Sequence, residues 1–309
     1  MEGAKLRIIC GPTAAGKSAV ALELAEQYGA AIVSADSRQI YCGFAIGTAK
    51  PTRDECARVT HYGIDVAEPE ERFSAARWAT EADEWIESAG EIDKEPIIVG
   101  GTGLYIKALV QPLFSAPELD EARRDELARE LESRSIADLR RWCNELDPAR
   151  AHLGRTQLMR AIETAILSGK RISDLHALHN SSRGGGTEPE VSPTYLVVDP
   201  GPSLAGLIEG RVERMLESGW IEEVEELSRT VPPDAPAWKA SGYAVMRKHV
   251  EGDLDLSSAR ERVIIETRQY AKRQRTWFRH QLPSAAVTHL NPEDSRAQAV
   301  VREWWERAE

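Results

Sequence analysis

The sequence of 309 residues has no apolar run that approaches the roughly 20 residues a membrane-spanning helix needs. It has no CxxC pair and no signal-peptide pattern, and no internal repeat is evident. Its few cysteines stand far apart, without metal-ligand spacing: Cys10, Cys42, Cys56 and Cys143. Together these absences predict a soluble cytoplasmic protein with reduced thiols and no membrane partner.

Positive charge is also in short supply. Lysine and arginine number 39 against 50 aspartate and glutamate residues, which gives a formal net charge of -11. This balance argues against a protein that binds nucleic acid indiscriminately. It leaves room for a local basic surface, because salt screens charges beyond about 8 Å and lets a patch act by itself.

Short apolar runs alternate with helical patterns at both ends of the chain. The predicted strands cover residues 6–10, 30–36, 96–101 and 194–200. Strands that alternate with helices indicate an α/β fold with a parallel sheet, and its functional loops are expected at the carboxyl ends of the strands. We therefore predict a parallel-sheet core like that of the P-loop NTPases.

Between the two halves of this core the sequence changes character. Residues 113–190 are highly charged and almost wholly helical in pattern, with a Gly-rich loop by composition near their end. We predict a helical insertion over 113–190, and a core formed by residues 1–112 and 191–309.

The stretch GPTAAGKS matches the phosphate-binding pattern GxxxxGK[ST] between a predicted strand and a predicted helix. Its residues are the predicted binding set for a di- or triphosphate: Gly11, Pro12, Thr13, Ala14, Ala15, Gly16, Lys17 and Ser18. The ammonium of Lys17 and a magnesium ion held in part by the hydroxyl of Ser18 would supply most of the attraction. A ligand-free glycine turn is the weaker alternative.

An NTPase needs a second acidic residue at a strand end to hold magnesium. Asp199 ends an apolar run but lies far downstream, and we expect it only to terminate a strand. Asp36 ends the second predicted strand, where the topology can bring it beside the phosphate loop. We predict a functional carboxylate at Asp36, with a strand-end cap as the alternative.

A basic helix is predicted over residues 267–280, which contain no acidic side chain. Four cations recur at helical spacing on one face: Arg268, Lys272, Arg275 and Arg279. Tyr270 and Trp277 lie on another face, which is suited to packing on the core. The basic face predicts contact with a nucleic-acid backbone; a solvated charged face is the alternative.

Several motifs together resemble one known family. They are GPTAAGKS (11–18), SADSRQIY (34–41), IGTAKP (46–51), HYGIDVAEPEERFSAARW (61–78), GGTGLYIKAL (100–109) and TRQYAKRQRTWFR (267–279). Their order is similar to that in the bacterial tRNA dimethylallyltransferases, also called tRNA isopentenyltransferases. The likeness covers both ends of the chain and is more specific than the phosphate loop alone.

The resemblance implies transfer of a dimethylallyl group from dimethylallyl diphosphate to N6 of the adenosine 3′ of the anticodon in tRNA. It implies catalytic roles for Asp36, Lys17, Thr102 and Arg211. Asp36 would be the general base for the attacking amine. Lys17, Arg211 and Mg²⁺ would neutralise the diphosphate leaving group.

The resemblance also implies a set of tRNA contacts. In the core these are Asp36, Ser37, Arg38, Gln39, Thr102, Arg268, Lys272 and Arg275, and in the insertion they are Arg124, Thr156, Gln157, Leu158, Met159 and Arg160. A solvated helix face is the alternative for the insertion residues. Gln157 stands where arginine is common, so we expect that contact to be weak or replaced by Arg155. His61 and Asp65 are expected to form a structural pair.

Three rival functions remain at this point. An adenylate isopentenyltransferase shares the loop and the aspartate, but free AMP, ADP or ATP would not need the insertion or the basic helix. A nucleoside-monophosphate-type kinase would need lid arginines that the sequence does not clearly offer. A non-catalytic RNA-binding protein would not need Lys17, Ser18 and Asp36. The tRNA enzyme, as a monomer, is the reading we favour.

Overall fold

The computed structural model describes residues 5–111, 120–182 and 192–307. The chain divides into two compact units, one formed by Met1–Pro112 with Pro189–Glu309 and the other by Leu113–Glu188. The ends of the predicted insertion, residues 113 and 190, and most of the predicted Gly-rich loop lie outside the described residues.

Strands and helices alternate through the first unit. The strands are β1 (Lys5–Cys10), β2 (Ala31–Ser34), β3 (His61–Tyr62), β4 (Pro96–Gly100), β5 (Ser192–Val198) and β6 (Val287–Leu290). The helices of this unit are α1 (Lys17–Tyr28), α2 (Arg53–Arg58), α3 (Ala75–Glu91), α4 (Gly103–Val110), α9 (Leu204–Glu217), α10 (Trp220–Thr230), α11 (Tyr243–Val250), α12 (Leu256–Gln281) and α13 (Ala297–Arg307). The second unit contains α5 (Glu121–Ser133), α6 (Ile136–Leu146), α7 (Arg155–Ser168) and α8 (Ile172–Ser182).

The six strands form one parallel sheet in the order β3-β2-β4-β1-β5-β6. Strand β1 is central, between β4 and β5, and its residues Ile8 and Ile9 are fully buried. A parallel sheet covered on both faces buries consecutive residues of its central strands rather than alternate ones. The predicted α/β fold class is confirmed.

Sequence patterning missed the two outer strands. Strand β3 has only two residues, both partly exposed, and β6 has three of its four residues partly or fully exposed. Edge strands pair on one side only, so their burial and their apolar pattern are weak. Both strands are identified by their backbone pairing with β2 and β5, because their own sequences carry no strong apolar pattern.

The second unit has its own apolar core. Eight buried residues form it: Leu127, Leu131, Leu139, Cys143, Leu158, Ala161, Ile162 and Ile172. Its helix starts are conventional, because the side chains of Asp120 and Ser135 accept backbone N–H groups at the beginnings of α5 and α6. None of the helices in the described parts of the chain is both long and apolar enough to cross a membrane.

The turn after β1 requires glycine at its first position. Gly11 has φ +142, and a Cβ atom there would lie 2.2 Å from the carbonyl oxygen of Val198 in the neighbouring β5. Backbone on both sides leaves no flexible group to move aside. The phosphate loop therefore leaves the sheet in direct contact with the backbone of the adjacent strand.

We predict that Gly11→Ala lowers the free energy of unfolding by about 1–3 kcal/mol, because the added methyl group overpacks this contact. Chemical denaturation measures the change. The matched control is Gly90→Ala in α3, where a Cβ meets no atom within 4 Å and the change should be neutral or stabilising. Equal stability of the Gly11 variant and the wild type would contradict the prediction.

Candidate functional site

A cavity of about 620 Å³ opens at the carboxyl ends of the central strands. The loop after β1, the turn after β2, residues 45–52, the end of β4 and one face of α9 are among the parts of the chain that line it. The carboxyl ends of parallel strands form the usual ligand crevice of α/β sheets. The predicted phosphate loop and the predicted carboxylate therefore face one cavity.

The loop between β1 and α1 forms one wall. Residues Thr13 to Ser18 line the cavity, whereas Gly11 and Pro12 are buried behind them. The Lys17 ammonium donates a hydrogen bond of 2.7 Å to the carbonyl oxygen of Pro12, which folds the side chain back over the loop. The first turn of α1 adds the unpaired N–H groups and the positive dipole end that favour a phosphate.

Cationic groups are held close together at this wall. Burial lowers the pKa of the Lys17 ammonium to about 8, an effect that the Asp36 carboxylate opposes and the Arg211 guanidinium reinforces. Burial also lowers the pKa of Arg211, which Asp36 again opposes. The guanidinium of Arg211 donates to the carbonyl oxygen of Thr48 at 3.3 Å. The two cations and the carboxylate thus lie within electrostatic range of each other, and a bound polyanion would relieve the repulsion between the cations.

Asp36 lies in the turn that follows β2. One of its carboxylate oxygens accepts the backbone N–H of Arg38 at 2.9 Å, which holds the turn tight. The neighbouring Ser37 donates its N–H to the hydroxyl oxygen of Thr102 at 3.0 Å, so the turns after β2 and β4 are joined. A smaller cavity of about 50 Å³ is also lined by Asp36, together with Tyr270.

The wall formed by residues 45–48 is held by one carboxylate on α10. Glu223 accepts the backbone N–H groups of Ala45 and Ile46 at 3.1 and 2.8 Å. Its other oxygen accepts the hydroxyl of Tyr243 at 2.5 Å, and that hydroxyl oxygen accepts the N–H of Gly47 at 3.0 Å. Sequence analysis assigned no role to either side chain, because their partners in residues 45–47 are remote in sequence.

Gln39 and His61 also line the cavity. The carboxamide of Gln39 is used within the protein: it accepts from the Ser34 hydroxyl and donates to the carbonyl oxygens of Thr48 and Ala49. The expected pair of His61 and Asp65 is wrong. A ring nitrogen of His61 bonds the carbonyl oxygen of Val59, and Asp65 instead forms an ion pair with Lys50.

A buried carboxamide joins the basic helix to the phosphate loop. The Oε1 atom of Gln274 accepts the N–H of Thr13 at 2.8 Å, and its Nε2 atom donates to the carbonyl oxygen of Gly101 at 2.9 Å. A Cβ at Gly101 would lie 2.3 Å from that Nε2 atom, so the approach depends on glycine. Sequence reasoning missed Gln274, although a polar residue on the face shared with Tyr270 and Trp277 was a usable signal.

The basic face of α12 differs from the predicted row of free cations. Arg275 forms an ion pair with Asp199 and also donates to the carbonyl oxygen of Gly201 at 2.6 Å. Arg268 forms an ion pair with Glu209. We therefore correct the prediction: the donors of Arg275 tie β5 to α12, and of the four cations only Lys272 and Arg279 lack a carboxylate partner among the described residues.

Residues of α7 differ in what they can offer a ligand. Thr156, Gln157 and Arg160 are exposed and Met159 is partly buried, but the side chain of Leu158 has no exposure because it belongs to the core of its unit. The predicted tRNA contact through the Leu158 side chain is therefore wrong.

The expected substitute for an arginine at position 157 is also wrong. The guanidinium of Arg155 donates to three carbonyl oxygens at the end of α5: those of Leu131, Glu132 and Arg134. These bonds engage both terminal nitrogens of the guanidinium within the protein. Arg155 therefore caps a helix.

The phosphate loop offers few side chains that could bind a metal ion. No group of three or more His, Cys, Asp or Glu side chains within residues 5–111, 120–182 and 192–307 could hold a metal ion. Mg²⁺ commonly keeps several waters and binds to one or two protein oxygens together with phosphate oxygens. The exposed Ser18 hydroxyl fits that pattern, as a single protein ligand beside a bound diphosphate.

Comparison with known proteins places this site in a family. A family model described as IPP transferase matches residues 39–281, most of the chain. The chain belongs to the IPP transferase family.

Relatives of known name are similar over nearly the whole chain. A tRNA dimethylallyltransferase from Cyanothece sp. is 38% identical over 295 residues, which cover 94% of this chain and 93% of the relative. One from Geobacter sulfurreducens is 40% identical over 280 residues and 89% of both chains. A solved tRNA delta(2)-isopentenylpyrophosphate transferase from Staphylococcus epidermidis is 30% identical, with a TM-score of 0.68 and 98% of both chains covered.

For this IPP transferase family member we predict that Gln274→Leu weakens the binding of inorganic diphosphate and lowers the free energy of unfolding by about 1–3 kcal/mol. The leucine side chain cannot form hydrogen bonds, so the N–H of Thr13 and the buried carbonyl of Gly101 lose the hydrogen-bond partner that Gln274 provides. Calorimetry and chemical denaturation measure the two effects. The matched control, Gln281→Leu at the exposed end of the same helix, should change neither; unchanged diphosphate binding in the Gln274 variant would refute a role in positioning the loop.

The lowered pKa of Lys17 predicts a pH dependence of diphosphate binding. Because the free protein loses the ammonium charge as pH rises through about 8, affinity should fall across that range. Lys17→Arg keeps its charge at every accessible pH, so the fall caused by the lysine should be absent there. Titration calorimetry measures the affinity of both proteins for diphosphate across this pH range. Because the ionisation of the diphosphate itself is the same in both series, the difference between the two pH profiles reports the ionisation of residue 17. Parallel pH profiles would contradict the prediction.

Proposed function

We propose that this protein is a tRNA dimethylallyltransferase, which transfers a dimethylallyl group from dimethylallyl diphosphate to N6 of the adenosine 3′ of the anticodon. Membership of the IPP transferase family supports the proposal, as do relatives named for that activity over nearly the full chain length. The protein would work as a monomer with tRNA and dimethylallyl diphosphate as its substrates.

One observation carries the proposal: a single cavity contains Lys17, Arg211 and Asp36. The first two side chains and the loop N–H groups suit a diphosphate, and the third suits an amine that must lose a proton. ATP-splitting sites also use a lysine, an arginine and an acidic side chain, so the names of the relatives favour the transferase over an ATPase. The combination fits a reaction in which diphosphate leaves while an amine attacks.

The proposed reaction balances on these groups. The N6 lone pair of adenine forms a bond to the allylic C1 atom of the donor, and the C1–O bond breaks with its electron pair passing to the diphosphate. The N6 proton goes to the Asp36 carboxylate, a general base of the usual kind. Lys17 and Arg211 stabilise the charge that develops on the leaving group, where preorganised cations contribute most.

The remaining core residues would position the adenine. Thr102 and Ser37 hold the two turns together by their hydrogen bonds, and Arg38 packs in the same turn as Asp36. An extruded base costs a few kcal/mol to unstack, least in a loop. Mg²⁺, if bound through Ser18 and the diphosphate, would supply further neutralisation of the leaving group.

The adenylate isopentenyltransferase reading predicts transfer to free AMP, ADP or ATP. The named relatives are tRNA enzymes, and the second unit and Lys272 on α12 have no evident use with a free nucleotide. Labelled dimethylallyl diphosphate offered to unmodified tRNA and to AMP in parallel separates the two readings. Label in tRNA supports our proposal, whereas label in AMP alone would assign the protein to the adenylate enzymes.

We predict that Asp36→Asn reduces the rate of transfer to tRNA by about 10²–10⁴-fold, the usual contribution of a positioned general base. Single-turnover kinetics with bound tRNA and donor measure the chemical step. Asp253→Asn, on an exposed turn of the same unit, is the matched control and should retain the wild-type rate. A loss of less than about tenfold in the Asp36 variant would remove it from the role of base.

A further inference from the structure

The cavity wall at residues 45–48 is fixed from behind by two helices. Glu223 lies in the first turn of α10, and Tyr243 is the first residue of α11. Glu223 accepts two backbone N–H groups of the wall, and Tyr243 accepts a third. Three consecutive amide groups are therefore held by two side chains that are remote from them in sequence.

These two side chains are also bonded to each other. The hydroxyl of Tyr243 donates to a carboxylate oxygen of Glu223 at 2.5 Å. Burial and the charge of that carboxylate raise the pKa of Tyr243, so the hydroxyl stays protonated and remains a donor. The carboxylate thus accepts three hydrogen bonds over its two oxygens. A carboxamide could not reproduce this pattern, because it has only one accepting oxygen.

The backbone of the wall packs directly on aromatic rings at Gly47. A Cβ atom there would lie 2.3 Å from the Nε1 atom of Trp220 and 2.5 Å from a ring carbon of Tyr243. Both rings are fully buried, and they meet edge to face with their centroids 5.5 Å apart. The wall therefore rests on a closely packed surface as well as on its hydrogen bonds.

The next residue of the wall, Thr48, presents its carbonyl oxygen to Arg211. The guanidinium donates to that oxygen at 3.3 Å, which is its one hydrogen bond within the described parts of the chain. The carboxamide of Gln39 donates to the same oxygen. The place of the Arg211 guanidinium in the cavity therefore depends on backbone that Glu223 and Tyr243 fix.

We infer that Glu223 and Tyr243 are positioning residues for Arg211, and through it for the diphosphate group. This inference rests on the proposed function, in which Arg211 stabilises the diphosphate leaving group. Neither side chain lines the cavity, so both act through the backbone of residues 45–48. A cation that stabilises developing charge is effective only when it is held in place before the reaction.

The experiment is a double-mutant cycle on the affinity of the full-length protein for inorganic diphosphate, measured by calorimetry. Arg211→Gln should weaken binding about 10- to 100-fold, the usual range for a lost hydrogen bond to a charged group. Glu223→Leu and Tyr243→Phe should weaken it by smaller factors, about tenfold and about threefold. Added to Arg211→Gln, each should weaken binding by less than about twofold further, because its effect passes through the missing guanidinium.

Two more variants separate the hydrogen bonds from the charge. Glu223→Gln keeps one oxygen for the N–H groups of the wall but cannot also accept the Tyr243 hydroxyl, so its affinity should lie between those of the wild type and Glu223→Leu. Glu222→Gln is the matched control. Glu222 is exposed in the same first turn of α10, so this change removes the same charge from the helix N-terminus and should leave affinity unchanged.

Either of two results would overturn the inference. One is additive losses in the double variants, which would mean that the effect reaches the diphosphate without Arg211; the other is wild-type affinity in Arg211→Gln or in Tyr243→Phe. Thermal unfolding checks that every variant is folded. Tyr243→Phe removes only a hydroxyl, so it completes the cycle by itself where Glu223→Leu fails to fold.

Transfer of dimethylallyl to tRNA by the wild type is a separate measurement. A protein whose diphosphate affinity follows the cycle, yet which transfers no dimethylallyl group to tRNA, would refute the proposed function. The positioning of Arg211 by the two side chains would still stand.

Discussion

The two hydrogen bonds of the Gln274 carboxamide set the geometry on which the rest of the site depends. One bond holds Thr13 in the phosphate loop, and the other holds Gly101 in the turn after β4. The next residue, Thr102, accepts the N–H of Ser37, which is the neighbour of Asp36. A single buried side chain therefore links the cationic end of the cavity to the carboxylate end, and it does so from the helix that also carries Lys272.

The charges in the cavity are arranged for a ligand that is itself charged. Lys17 and Arg211 repel each other, and burial lowers the pKa of each, while Asp36 offsets only part of that effect. In a partly enclosed site such charges interact more strongly than they would in water. A diphosphate would stabilise both cations, and its departure would restore the repulsion. The same groups thus favour binding of a diphosphate, both in the donor and as the product.

Sequence patterns predict the elements that are long or chemically distinctive. The buried strands, the phosphate loop and Asp36 fall into this class, because each depends on local sequence and on the rule that parallel strands end at one edge. The patterns fail where the outcome depends on distant partners. The roles of Gln274, Glu223 and Asp199, and the loss of Arg155 and Leu158 as ligand contacts, are decided by residues that are remote in sequence or by tertiary packing.

The position of the second unit within the chain has a consequence for synthesis. Strand β1 is made first, yet one of its two neighbours, β5, begins only at Ser192, after the whole of α5 to α8. At ribosomal speeds the interval is on the order of ten seconds. During it one edge of a strand that is buried in the finished fold stays open to other chains. The nascent protein would then be most exposed to aggregation before the core sheet closes, a period in which a chaperone would have the most effect.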